Sequence, residues 1–171
     1  NQALKYNERG RSGLQVWNDS DLAGTYVVDG ELRSRIGVAV TYNGMLVGWT
    51  TKYIDGVVCL SAEAEVNALS EAIKVAIYLR NVGEELGIEV PSQAAIAFAE
   101  DTLGVGRMKH LDLRTAWIRE MKESNQIKLV KVAGTENPAD FFTKVLPLGE
   151  HCKMADKFTK SLLMKVGSMG E

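Results

Sequence analysis

Three carboxylates stand where separate elements could bring them together. Asp19 closes the alternating run Leu14-Gln15-Val16-Trp17-Asn18-Asp19, and α/β sheets place their sites at the C-terminal ends of strands. Glu65 sits one turn into a long helical pattern, on the side that carries its apolar stripe. Asp140 falls in the first turn of a helix opened by Asn137 as cap and Pro138 at the first position. Converging carboxylates hold Mg²⁺ or a Mg²⁺ pair, because hard cations take oxygen ligands. The chain has 22 acids, so each of the three also has a plainer reading as helix-dipole partner or solvated surface.

Other residue types offer less. Arg107, Lys109, His110 and Arg114 form a basic cluster at a helix start, suited to phosphate contacts or simply solvated. His151 has no companion ligands nearby and reads as surface. Cys59 and Cys152 match no metal spacing. Cys59 lies in the apolar run Val57-Val58-Cys59-Leu60 and is expected as a buried free thiol, which fits a reducing compartment. Trp17, Trp49 and Trp117 are expected in the core rather than as stacking platforms.

The elements that must position these groups fit one domain. The chain has 171 residues, 46% hydrophobic and 25% charged, ordinary for a globular protein and wrong for a disordered one. No apolar run approaches the ~18 residues of a membrane span. Net charge is −2 and the sequence pI about 5.8, which excludes a bulk electrostatic nucleic-acid binder but leaves room for a local basic stripe. The N-terminus, Asn1-Gln2-Ala3-Leu4-Lys5, has neither Met nor a signal-peptide core, and reads as cut from something longer.

Strands are expected at Leu14–Asp19, Ile36–Tyr42 and Met45–Thr51, the last two joined by Asn43-Gly44, the strongest short hairpin signal. Gly24 to Arg35 is polar and loop-like. A long helix begins at Ser61 as N-cap and ends at Gly83 or Gly87. Ala94–Ala99 reads as a short apolar helix. A third helix uses Leu111, Leu113, Trp117, Ile118 and Met121 for its core face, Ile127–Val132 is a strand, and a last helix runs from about His151 to Lys165 with a fraying tail. Helices alternating with strands make the class α/β with a mixed sheet.

The wording around the acids carries a resemblance. Trp17-Asn18-Asp19-Ser20-Asp21-Leu22-Ala23-Gly24, Leu60-Ser61-Ala62-Glu63-Ala64-Glu65-Val66-Asn67, Gln93-Ala94-Ala95-Ile96, Arg107-Met108-Lys109-His110-Leu111-Asp112 and Asn137-Pro138-Ala139-Asp140-Phe141-Phe142-Thr143-Lys144 resemble, in collinear order, the ribonuclease H domain of copia-type LTR retrotransposon polyproteins. The resemblance implies a ribonuclease H-like mixed sheet flanked by helices. It also implies cleavage of the RNA strand of RNA–DNA hybrids, with two Mg²⁺ (or Mn²⁺) ions held by four carboxylates. Asp19, Glu65 and Asp140 match three of them. At the fourth position, the end of the family's fourth strand, this sequence has Pro91, so that strand is expected to be short or missing. Glu89 is the nearest stand-in, roughly 6–7 Å back along the strand, and Glu100 and Asp101, at the far end of the following helix, are worse candidates.

On this reading residues 1–13 are a linker from an upstream polyprotein region, 14–148 the ribonuclease H-like domain, and 149–171 a C-terminal helix and tail. The implied partners are an RNA–DNA hybrid and the reverse transcriptase region of the same polyprotein, inside the cell and away from membranes. The alternative is a catalytically impaired domain kept as a nucleic-acid-binding or scaffolding module.

Overall fold

A computed structural model describes residues 2–4, 13–22, 27–28, 31–56, 58–88, 90, 94–99, 112–144 and 146–161. Alternating apolar residues build three antiparallel strands, β1 (Leu14–Asp21), β2 (Arg35–Tyr42) and β3 (Met45–Tyr53). Asn43 and Gly44 both have positive φ, 51° and 78°, the geometry a two-residue hairpin loop needs. The amide of Gly13 donates to the Asn43 side chain at 2.7 Å, fastening the hairpin to the start of β1.

Parity along β1 separates its two faces. Leu14 and Val16 join Val38 and Val40 in the core beneath α1 (Ser61–Glu85), which contributes Val66, Leu69, Ile73 and Ala76. Trp17 faces the other way, with Ala39, Leu46 and Phe142. Asp19 shares that second face. The helix opens at Ser61 itself, with Leu60 in the cap position and no side-chain cap bond. Of the two candidate stops it passes Gly83 and ends before Gly87, whose φ of +68° suits a C-terminal glycine.

The segment 94–99 corrects the expectation of a helix. Ala94–Ala99 is β4, parallel both to β1 and to β5 (Ile127–Val132), and the sheet order is β3-β2-β1-β4-β5. Ala94, Ile96, Ala97 and Phe98 are all buried. A parallel strand covered on both faces reads as an unbroken apolar run, which periodicity cannot distinguish from a short helix. The other half of the expectation, a shortened strand between Gly87 and Pro91, is answered by the same segment. Residues 86–88 and 90 form no strand, Gly83 to Glu85 are still helical, and the fourth place in the sheet is filled from six residues further on.

The rest of the chain closes over these layers. In α2 (Asp112–Glu123), Ile118 is buried and Trp117 and Met121 pack beside it, while Leu113 is exposed; Leu111 lies outside the described residues. The polar stretch before β2 holds a small hairpin, Val27–Val28 with Glu31–Leu32. The last helix is α3 (Leu148–Phe158) rather than His151–Lys165, and Thr159–Ser161 pairs antiparallel with Gln2–Leu4. Cys59 is exposed, because Val58–Leu60 is a connection into α1 and not a buried strand.

One close approach positions the site. The 3₁₀ segment Pro138–Phe142 lies across β2 at Gly37. A Cβ on Gly37 would come within 2.8 Å of Thr143 Cγ2 and 3.0 Å of the Ala139 carbonyl oxygen and Phe142 Cβ. Gly37→Ala therefore forces the segment outward, and is expected to cost about 1–3 kcal/mol, read as a lower midpoint in thermal denaturation. An unchanged midpoint would mean that the segment yields freely.

Candidate active site

The site starts from a buried amide. Asn137 is fully buried; its Nδ2 donates to the Asn18 carbonyl at 2.8 Å and its Oδ1 accepts from the Ala139 amide at 3.1 Å. The first bond ties the end of the chain to β1 and the second caps the 3₁₀ segment. With Pro138 at its first position, the segment turns Asp140 back toward the next residue of β1, Asp19. Thr143, also fully buried, donates its hydroxyl to Asp19 Oδ2.

Two carboxylates thus meet beside one ammonium. Lys144 Nζ lies 3.1 Å from Asp140 Oδ1 and 3.8 Å from Asp19 Oδ2. Burial, reinforced by the Asp140 charge, pushes the Asp19 carboxyl up to about 7, against the opposing effect of Thr143 and Lys144. Asp21, two residues on, is raised by burial and pulled back by Lys144 and Arg35. Lys144 loses some of its charged character's support to burial but gains more from Asp19, Asp140 and Asp21, so its ammonium is held above the usual range. Asp21, Thr143 and Lys144 were not singled out by sequence reasoning. The i, i+4 spacing of Asp140 and Lys144 was the available signal for one of them.

Of the expected site residues, the structure brings Asp19 and Asp140 together. Glu65 is half-buried on α1, which packs on the opposite face of the sheet from the 3₁₀ segment. Among the described residues no group of three His, Cys, Asp or Glu could hold a metal ion. Arg114 is exposed and lines a cleft of about 500 Å³ with Lys52, Tyr53, Asp55, Glu63 and Asn67, which none of Asp19, Asp140 and Lys144 lines. Glu89, Pro91, Glu100, Asp101, Arg107, Lys109 and His110 lie outside the described residues. Pro91 nevertheless precedes the fourth strand instead of ending it, and Glu100 and Asp101 follow β4 in the chain rather than a helix.

The donor chemistry fits one hard cation. Two adjacent carboxylates, one held partly protonated by burial and by the other's charge, gain most from a divalent ion with oxygen preference. Asn18, whose buried Oδ1 has no hydrogen-bond partner, falls by parity on the α1 face with Val16 and not beside the pair.

The Asp19 shift fixes the sign of a pH effect. Its folded value, about 7, lies above the ordinary 3.8, so the folded state binds the extra proton and stability falls as pH rises from ~4 through ~7. In chelator, Asp19→Asn removes that loss while keeping an acceptor for Thr143. It is expected to raise the thermal midpoint by a few degrees at pH 8 and to change little near pH 4. A variant less stable than the parent at pH 8 would refute the assignment.

No protein-family model matches the chain. It is 35% identical over 149 residues, 82% of its length, to the retrovirus-related Pol polyprotein from transposon TNT 1-94 of Nicotiana tabacum, and spans 11% of that polyprotein. In structure it resembles the N-terminal RNase H domain of a Mycobacterium tuberculosis protein, solved as a fusion with maltose-binding protein. That likeness has a TM-score of 0.50 and 16% identity, and covers 85% of this chain and 98% of that one. The sheet order and the sequence match agree: the chain belongs to the retrotransposon Pol polyproteins, as a segment with a ribonuclease H-like fold.

Proposed function

We propose that the chain is the ribonuclease H domain of a copia-type LTR retrotransposon polyprotein, cutting the RNA strand of RNA–DNA hybrids during reverse transcription. The observation that carries this reading is the Asp19–Asp140 pair at the end of the central strand, with the raised Asp19 carboxyl. Asp19 and Asp140 would hold a divalent cation, Mg²⁺ or Mn²⁺, which supplies an activated water and charge for the leaving oxygen. Glu65 would serve as a further ligand from α1, extending the pair toward two ions.

The chain's own residues do the positioning. Thr143 orients Asp19 through its hydroxyl. Lys144 neutralises the carboxylate pair when no ion is bound, and with an ion on the pair its ammonium would be available to a substrate phosphate. The fourth carboxylate is best sought in Glu100 or Asp101, next in the chain after β4, with Glu89, two residues before Pro91, as the alternative. Arg107, Lys109, His110 and Arg114 would meet backbone phosphates. The partners are then the hybrid and the reverse transcriptase region of the same polyprotein, inside the cell. No helix among the described residues is long and apolar enough to cross a membrane.

A second reading, a catalytically impaired nucleic-acid-binding module, is favoured by the pairing of only two acids among the described residues. Hybrid cleavage in Mg²⁺ and in Mn²⁺ separates the two. The nuclease reading expects cleavage abolished by Asp19→Asn and strongly reduced by Asp140→Asn and by Glu100→Gln combined with Asp101→Asn. Binding without cleavage in either ion would leave the impaired module. Removing Arg107 and Lys109 together should lower the salt slope of hybrid binding by about two units; an unchanged slope would make that cluster solvated surface.

A further inference from the structure

The expectation that Trp49 lies in the core is wrong, and the way it fails is informative. Trp49 is 61% exposed on β3, the edge strand of the sheet. Its ring stacks on Phe142, centroids 6.3 Å apart and planes within 13°. Phe142 in turn meets Phe141 edge-on at 5.3 Å, and Phe141 meets His151 at 4.7 Å. The Thr51 hydroxyl donates to the Phe142 carbonyl at 3.0 Å, which pins the ring against β3. Single exposed apolar side chains are common and need no explanation. A tryptophan held flat by a braced aromatic cluster on an otherwise exposed edge is different, because the edge of a sheet is where an unused apolar surface is a hazard.

Its location gives the cluster a ligand. Phe141 and Phe142 follow Asp140 directly in the chain. Across the sheet, Thr51, Gly37 and Asp19 form one row, and Trp49, Ala39 and Trp17 the next row on that face. With ~4.8 Å between strands and ~3.4 Å per residue, the backbones of Trp49 and Asp19 lie about 12 Å apart. That is three to four steps of a stacked strand at ~3.4 Å each. Lys144, with its side chain 43% exposed, stands beside the carboxylates at the Asp19 end of that span.

We propose that Trp49 is a stacking platform for an unpaired nucleobase flanking the cleavage site, a proposal that rests on the nuclease reading for its substrate. An aromatic ring held with one side against a neighbour presents the other side to a base whatever its identity, so the platform would favour single-stranded flanks without sequence preference. Paired bases inside a duplex present no open π-face, so blunt hybrids would not use it.

The test uses the full chain carrying Asp19→Asn, so that hybrids bind uncut, and labelled RNA–DNA hybrids with or without a short single-stranded overhang. The overhang is expected to tighten binding about 5- to 150-fold, and Trp49→Ala should erase that preference while its circular dichroism stays that of the parent. Trp49→Phe should keep part of the preference and lose the tryptophan quenching that accompanies binding. Equal affinity for both hybrids, an undiminished preference in Trp49→Ala, or no binding at all would overturn the proposal. The nuclease reading fails separately: a wild-type chain that prefers overhangs but cuts nothing in Mg²⁺ or Mn²⁺ keeps the platform and loses the cleavage.

Discussion

Everything in the site depends on where the amide of Asn137 is satisfied. It is fully buried, and its two hydrogen bonds reach the Asn18 carbonyl and the Ala139 amide, joining residues 119 apart in sequence. A buried amide left unpaired costs about 1–3 kcal/mol per group, so the segment cannot drift from β1 without leaving both partners dry and unpaired. Gly37 lets the segment lie close enough for those bonds to form, and the Thr143 hydroxyl extends the tether to Asp19. The approach of the two carboxylates is therefore held by hydrogen bonds and shape as well as by the Lys144 ammonium beside them.

That holding matters because the carboxylate charges oppose the arrangement. Asp19, Asp21 and Asp140 surround a single ammonium, Lys144, and burial raises the cost of ionising Asp19. Left to electrostatics, the acids would separate. Natural sites often keep such local destabilisation where function needs it, with the surrounding packing holding it in place. Here the holding groups are an amide, a hydroxyl and a missing Cβ, none of which would compete for a cation's charge.

Much of this was legible in the sequence and some was not, for reasons of pattern. Asn43-Gly44 announced its hairpin because both residues had to take positive φ. β1 and the stripe on α1 showed because each has one covered and one less covered face, while β2, buried on both faces from Ile36 to Thr41, showed through the hairpin signal at its end. β4 did not, since Ala94, Ile96, Ala97 and Phe98 are buried on both of its faces and the apolar run has no period to read. The short spacing between α1 and Pro91 leaves little room for a strand, and among the described residues 86–88 and 90 form none, but the sheet does not lack its fourth strand, which the next apolar segment supplies. Asp19 and Asp140 could be picked out by their place in elements. Thr143 could not, because a hydroxyl five residues after a proline carries no signal until the fold puts it against a carboxylate. Trp49 and Cys59 went wrong together: apolar type predicts burial only when the element beneath is internal, and one lies on an edge strand and the other in a connection.

The substitution in the fourth place of the sheet separates what a fold requires from what a site requires. A central parallel strand needs backbone groups in register and small or branched apolar side chains on both faces, and Ala94-Ala95-Ile96-Ala97-Phe98-Ala99 supplies both. Val16 faces Ile96 and Trp17 faces Ala97, so the α1 core and the opposite layer each receive a filler of the right kind. Catalysis asks more, since a ligand must fall at one residue of one strand end, and moving a strand along the chain replaces every side chain while preserving every ladder bond. Continuing the pairing by two residues sets Ala99 level with Asp19, so the chain leaves the sheet at the carboxylate edge with Glu100 and Asp101 next in sequence. The sheet is thus intact whether or not the chemistry is.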